Sequence, residues 1–574
     1  MNPDNNNILP QSLQRAQKRR TKIYLRLSTS VFSVSSVVII FFFAFLLGCS
    51  KHKKVEEKTS LNLNISHDIV TFDPRKGSDF ISSTVQFLLF EGLTKMSPYS
   101  LVTPALAETI DISEDRLVYT FHLRDSKWSN GAYVTAFDFA ETWNNMLAPN
   151  FPCPNAHLLF PIKNAENAKR GLVSLRQIGI RALDHKTLEV RLEHPTPYFL
   201  EMISFCVFFP IHQNTAVRNS KWAEVNNSDF VCNGPYRLAK YRHGHELVLE
   251  KNPYYWDSPN VSLDQIRISI IDNEMTAMKL YEMDELDILG LPFTGIPSDY
   301  VPNLMDKGLI KTSSLPASTI CCFNMETFPF SNVNIRKAFA YAINRQEIID
   351  NITSMDNESG VNLLPSTLLS DQPGPFFQDG DALLAKIYLQ KGLKELNISE
   401  DELGPLTLLH ATAGSFPKIA AALQEQWRKA LGVQVNLIGN EYNVFLDKLT
   451  KRDFQMAECV WIAQYHDPMN FFERFKQKKN PKNYPGYENP HYADLLDQSL
   501  LEANKSDRFD LLKKAEVILN EDMPLTALFH WKNIYLQKPT VKNLLLYPTG
   551  SFYLQEISFE GQKQQSNEIF TVYK

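Results

Sequence analysis

Few stretches of this chain carry side chains able to react, coordinate or bind. Ser415-Phe416-Pro417-Lys418 has the S-x-x-K spacing that puts a serine nucleophile beside a lysine base, and Lys311-Thr312-Ser313 approximates a K-T-G element. That spacing is common by chance, the S-D-N element is missing, and Pro417 is out of place in the helix such a motif needs. Acyl-enzyme chemistry is therefore set aside. His243-Gly244-His245-Glu246 holds potential metal ligands, but no third or fourth ligand is placed beside them, and the stretch reads as a solvated turn. No H-E-x-x-H, G-x-S-x-G or P-loop occurs, and neither a metal nor a cofactor is expected. Phe454 to Tyr465, FQMAECVWIAQY, reads as an apolar strand that carries Glu458 and Gln464, with residues 458, 460, 462 and 464 on one face.

The elements that must position this strand follow from length and pattern. A chain of 574 residues exceeds one ordinary core, so several lobes are expected. With 44% apolar and 21% charged residues and a net charge of −5, nothing indicates a nucleic-acid partner. Leu61, Leu63 and Ile65 alternate as a strand, as do Tyr119, Phe121 and Leu123, and Thr187 to Leu192. Thr135 and Asp138 form an acidic capping box ahead of a helix whose Phe139, Thr142, Trp143 and Met146 share a face. Leu406–His410 and Val433–Ile438 flank the helix Lys418–Ala430, an α/β alternation. A single helix is expected over Asn334–Ile349, with Arg336, Lys337, Arg345 and Glu347 away from its apolar stripe, and another over Leu501–Glu521. Trp128 and Tyr133 read as packing residues.

The N-terminus carries a basic arm (Arg15, Lys18, Arg19, Arg20, Lys22, Arg26) and then the uncharged stretch Val31–Leu47, the layout of an export signal. Export puts the body where disulfides can form. Six cysteines follow Cys49, which allows 15 pairings. Vicinal Cys321-Cys322 fit a buried strand.

Tyr119 to Trp143 closely resembles the signature of the extracytoplasmic solute-binding proteins of family 5, which serve peptide-importing ABC transporters. Phe90-Glu91-Gly92-Leu93, Asn233-Gly234-Pro235-Tyr236, Asn252-Pro253-Tyr254-Tyr255-Trp256 and Asn334–Ile349 match further blocks of that family. Leu46-Leu47-Gly48-Cys49 is similar to a bacterial lipobox, which makes Cys49 the acylated first residue of a lipoprotein. The resemblance implies an α/β, periplasmic binding protein-like fold (type II, cluster C), with two large lobes and an extra domain around a ligand cleft. It divides the chain into a signal peptide (1–48), a lipid-anchored tether (49–60), lobe I (61–105, 221–316 and 531–574), the extra domain (106–220) and lobe II (317–530). It implies an oligopeptide ligand, a membrane permease as partner, attachment to the membrane through the N-terminal lipid, and binding in place of catalysis. A dedicated cargo such as a muropeptide, metal chelate or haem, or a receptor without transport, is the alternative.

In this family the ligand lies extended against a strand that matches Phe454–Tyr465, with Trp461, Ala463, Tyr465 and Pro468 agreeing with W-x-A-D-Y-x-x-P. Trp461, Ile462, Tyr465, Gln464 and Glu458 are thereby the expected ligand-binding residues, with Phe80, beside Ser78 and Asp79, from lobe I. Gln464 departs from the pattern: it stands where the family carries the aspartate that pairs with the ligand's α-ammonium. Either Glu458 supplies the displaced acid, or Glu458 is tied up in a structural salt bridge.

Overall fold

The computed structural model describes residues 58–560 except 78, 98, 100, 225–229, 292, 354, 370–373, 548 and 551. The export signal, Cys49, most of the tether and Ser78 lie outside the described residues. Lobe I is built on a four-stranded sheet in the order Ser60–Ile65, Gln265–Ile270, Glu246–Lys251, Tyr236–Arg242, whose first pair is parallel. Leu61, Leu63 and Ile65, the alternating residues of the edge strand, are buried. The extra domain is an antiparallel sheet of Ala107–Ile112, Val118–Leu123, Thr187–Arg191 and Ile180–Ala182. Against it packs the helix Ala136–Met146, started by the Thr135/Asp138 capping box and pinned by Trp143 Nε1 donating to the Phe208 carbonyl at 2.8 Å.

The largest sheet runs in the order Ile288–Gly290, Leu525–Gln537, Lys311–Phe323, Met456–Ile462, Leu406–Ala411, Val435–Asn440. One face is covered by the helices Val333–Tyr341, Ala382–Leu396 and Phe416–Leu431, which share a core with Cys321, Met456 and Leu528. The other face carries Ala457, Cys459 and Leu409 into a core with residues of the helices Pro490–Leu501 and Lys505–Asp522. The strands Lys311–Phe323 and Leu525–Gln537, 13 residues each, pair with one another in this sheet, and their register breaks between Ser314 and Ser318.

Four expectations are corrected. The helix expected at Leu501–Glu521 starts later, at Lys505, because Leu501 ends the preceding helix and Asn504 caps the new one by accepting from the Ser506 and Asp507 amides. Asn334–Ile349 breaks at Ala342, where Asn344 caps the short helix Arg345–Ile348. Arg345 and Arg336 are not on the solvent side but buried. Arg345 Nε donates to the Ala527 carbonyl and its Nη2 to Thr526 Oγ1, both at 2.7 Å, and its Nη1 pairs with Asp379. Arg336 ties off the carbonyls of Phe330, Asp522 and Met523, a role that lets a buried guanidinium keep its hydrogen bonds. Tyr133 is 63% exposed beneath the Lys127 ammonium, whereas Trp128 is buried.

The family blocks meet in space. Glu91 accepts from Tyr255 Oη at 2.6 Å and Trp256 Nε1 at 2.5 Å, joining Phe90–Leu93 to Asn252–Trp256. In the turn His243–Glu246 the His243 ring Nδ1 lies 2.8 Å from Asp68 Oδ2. All six cysteines after Cys49 are buried free thiols.

Candidate ligand-binding site

The strand Met456–Ile462 is shorter than its apolar run, since the chain turns at Ala463–Pro468. On one side it pairs with Lys311–Phe323 along its whole length, from Met456↔Phe323 to Ile462↔Ala317. On the other it pairs with Leu406–Ala411 only at Met456 and Ala457. The two strands fork there, and among the described residues no strand pairs with that edge beyond Ala457. The Ala463 amide donates to the Pro316 carbonyl and the Gln455 carbonyl accepts from Asn324, so the odd-numbered residues bond to Lys311–Phe323. The alternation of an antiparallel ladder then aims the N–H and C=O groups of Glu458, Val460 and Ile462 into the fork. Val460, Trp461, Ile462 and Gln464 are half-buried.

Glu458 sits at the vertex of the fork, in a row with Cys321 and Thr526 of the next two strands. It is fully buried, and neither carboxylate oxygen has a hydrogen-bond partner. Among the described residues no salt bridge holds it. Burial pushes its carboxyl well above the usual range. Extending the parallel register by one residue would set His410 beside Glu458. The His410 ring leans instead toward Gly439, where an added Cβ would meet its Cε1 at 3.1 Å, and its Nδ1 contacts the Ala411 carbonyl.

Trp461 lies on the opposite face, stacked with the Arg474 guanidinium, and its Nε1 donates to Asn470 Oδ1 at 3.1 Å. Asn470 Nδ2 donates in turn to Gln464 Oε1 at 3.3 Å. Gln464, Tyr465 and His466 line a cavity of about 30 Å³ with Glu91 and Lys95 of lobe I and Ser204 and Phe205 of the extra domain. Tyr465 stacks on Tyr198, and Asp467 forms a buried two-pronged pair with Arg508 at 2.7 and 2.8 Å. Phe80 stands apart from this cavity as the half-buried first residue of the helix Phe80–Leu89, which Asp79 caps by accepting from the Ser82 amide. Sequence patterns carry no signal for Asn470, which reaches Trp461 and Gln464 only once the chain has turned.

A cleft strand with one unladdered edge, set in a two-lobed frame with a third domain against it, defines the class of solute-binding proteins. Residues 102–483 match the family described as bacterial extracellular solute-binding proteins, family 5. The chain is 37% identical over 512 residues to the oligopeptide-binding protein OppA of Bacillus subtilis, covering 88% of this chain and 94% of that protein. It is 32% identical over 524 residues to the dipeptide-binding protein DppE of the same organism, covering 88% and 95%. The solved structure of Haemophilus influenzae OppA in complex with RPPGFSPFR has a TM-score of 0.74 at 25% identity, covering 88% of this chain and 99% of that one. The chain belongs to family 5 of the bacterial extracellular solute-binding proteins, and its fold is the periplasmic binding protein-like one.

Proposed function

We propose that this protein captures extended oligopeptides by strand addition in the fork beside Glu458–Ile462 and delivers them to the permease of an ABC importer. The observation that carries the reading is the backbone edge of Glu458, Val460 and Ile462, which has its partners on one side only. Main-chain pairing gives affinity that is indifferent to side-chain identity, and flanking pockets select at the ends. Gln464, Trp461, Ile462 and Tyr465 border the bound chain, and Phe80 meets it from lobe I when the lobes close. The register break at Ser314–Ser318 is the hinge between lobe I and lobe II, because ladder bonds missing there leave the crossing strands free to bend. The notion of binding in place of catalysis is supported by relatives named as binding proteins. Attachment to the membrane through a lipid on Cys49 is supported by the Leu46–Cys49 motif behind an export signal.

The test is hydrogen exchange with hexa-alanine as probe. Bound peptide should slow exchange at the amides of 458, 460 and 462 and leave those of 457, 459 and 461 unchanged. Binding without protection at the even-numbered amides would exclude strand addition.

A further inference from the structure

We propose that the cleft strand also sets the direction of its ligand: the cationic end of the peptide lies at Glu458 and its acceptor end at Gln464. This rests on the strand addition proposed above and adds polarity to it.

At the vertex of the fork, Glu458 is a carboxyl group with two unpartnered oxygens and no exposure. The charged group in its row is Arg345, reached through Cys321 and Thr526. Its donors are already committed to Asp379, Thr526 and three backbone carbonyls. The titratable neighbours are the Cys321 thiol across the ladder and Cys459 on the same strand, neither of which neutralises a carboxylate. His410 turns away toward Gly439. A buried acid of this kind is costly until a partner arrives, and an ammonium group brings three donors and the opposite charge.

At the other end, hydrogen-bond direction is fixed by a chain of three side chains. An indole N–H only donates, so Asn470 must turn its oxygen to Trp461. Its Nδ2 then faces Gln464, whose amide oxygen must accept. The Gln464 amide NH₂ is left as the group to offer a ligand. Two charged side chains line the same cavity. Both Glu91 oxygens already accept from Tyr255 and Trp256, while the Lys95 ammonium lies over the Trp256 ring at 5.6 Å. A donor amide beside an ammonium suits a carboxylate or carbonyl. The extended part, Glu458 to Ile462, spans about 13 Å, so a peptide of about six residues reaches past it to Gln464.

Calorimetry on the detergent-solubilised full-length protein tests this with hexa-alanine in four forms: free ends, N-acetylated, C-amidated and doubly capped. Acetylation should weaken binding at least tenfold, and Glu458→Gln should remove most of that penalty. Amidation should also weaken binding, and its penalty should shrink in Gln464→Leu and Lys95→Met but not in Glu458→Gln. If the acetylation penalty vanishes instead in the Gln464 or Lys95 variants, the polarity is reversed and the proposal fails. Should Glu458→Gln not fold, photocrosslinking of the wild type decides. A benzophenone on the first residue should mark 408–411 or 456–458, and one on the last should mark 464–466 or 94–96; the swapped pattern overturns the assignment. Binding indifferent to either cap overturns the polarity alone, and no binding of any hexapeptide overturns the proposed function with it.

Discussion

Tyr198 of the extra domain and Tyr465 at the end of the cleft strand stack with their planes 3° apart and their centroids 5.1 Å apart. The pair is fully buried, and the Arg508 guanidinium lies 5.5 Å from the Tyr198 ring. An aromatic pair of this kind adds about 1 kcal/mol beyond the area it buries. Because Tyr465 adjoins Gln464, the stack also holds the cavity wall. Tyr198→Leu should lower the melting temperature by a few degrees and weaken hexa-alanine binding several-fold; a variant with lowered stability and unchanged affinity would confine the stack to a structural role.

Trp461 acts through Asn470. Trp461→Phe keeps a ring for Arg474 to cover but removes the indole N–H that orients Asn470 and, through it, Gln464. Trp461→Ala removes both. The alanine variant should lose at least tenfold in affinity and the phenylalanine variant an intermediate amount, read by calorimetry with hexa-alanine. Equal affinity for Trp461→Phe and wild type would show that the relay does not position Gln464.

How much of this was legible beforehand follows from which interactions are local. The alternation of Leu61, Leu63 and Ile65 and the Thr135/Asp138 capping box depend on neighbours a few residues away, and each is where the pattern puts it, whereas the strand expected over Phe454–Tyr465 is shortened to Met456–Ile462. The burial of Arg345 has no local signal because its partners, Asp379 and Thr526, lie 34 and 181 residues away, and a guanidinium supplied with five acceptors can be buried. The break in Asn334–Ile349 is silent in the sequence because the Asn344 cap resembles an ordinary polar helix residue. Glu458 could be singled out by its place in an apolar strand, but its want of a partner depends on the register of three strands and on the lean of His410. The Asn470 relay has no pattern in the sequence at all.

Asp467 and Arg508 form an ion pair with both side chains almost out of water. Removing one member strands the other, at a cost of about 3–5 kcal/mol. Arg508→Met should therefore destabilise the protein by about that amount in urea unfolding, whereas Asp467→Leu combined with Arg508→Met should recover much of the loss. If the double variant is no better than the single one, the pair is contributing more than charge compensation.

Two carboxyls and two imidazoles that folding withdraws from water give stability a pH dependence of defined sign. Burial, with Asp467 adding repulsion, lifts the half-buried Glu201 to about 8. Burial lifts Glu516 to about 7, although the Leu364 amide opposes it. An acid whose folded pKa exceeds its unfolded value near 4.5 holds a proton that the unfolded chain has lost, so stability falls as pH rises through that window. His157 and His530 are pushed by burial down to about 4, and they take stability away as pH falls below about 6.5. Between pH 6.5 and 8 the acids act without that opposition. The melting temperature should drop across this range, by no more than about 1.4 kcal/mol of stability per pH unit for each proton released. Below pH 6.5 the two effects offset one another and the profile should flatten. Glu201→Gln, which keeps the shape of the side chain without its titration, should reduce the slope between pH 7 and 8; an unchanged slope would mean that Glu201 does not titrate there.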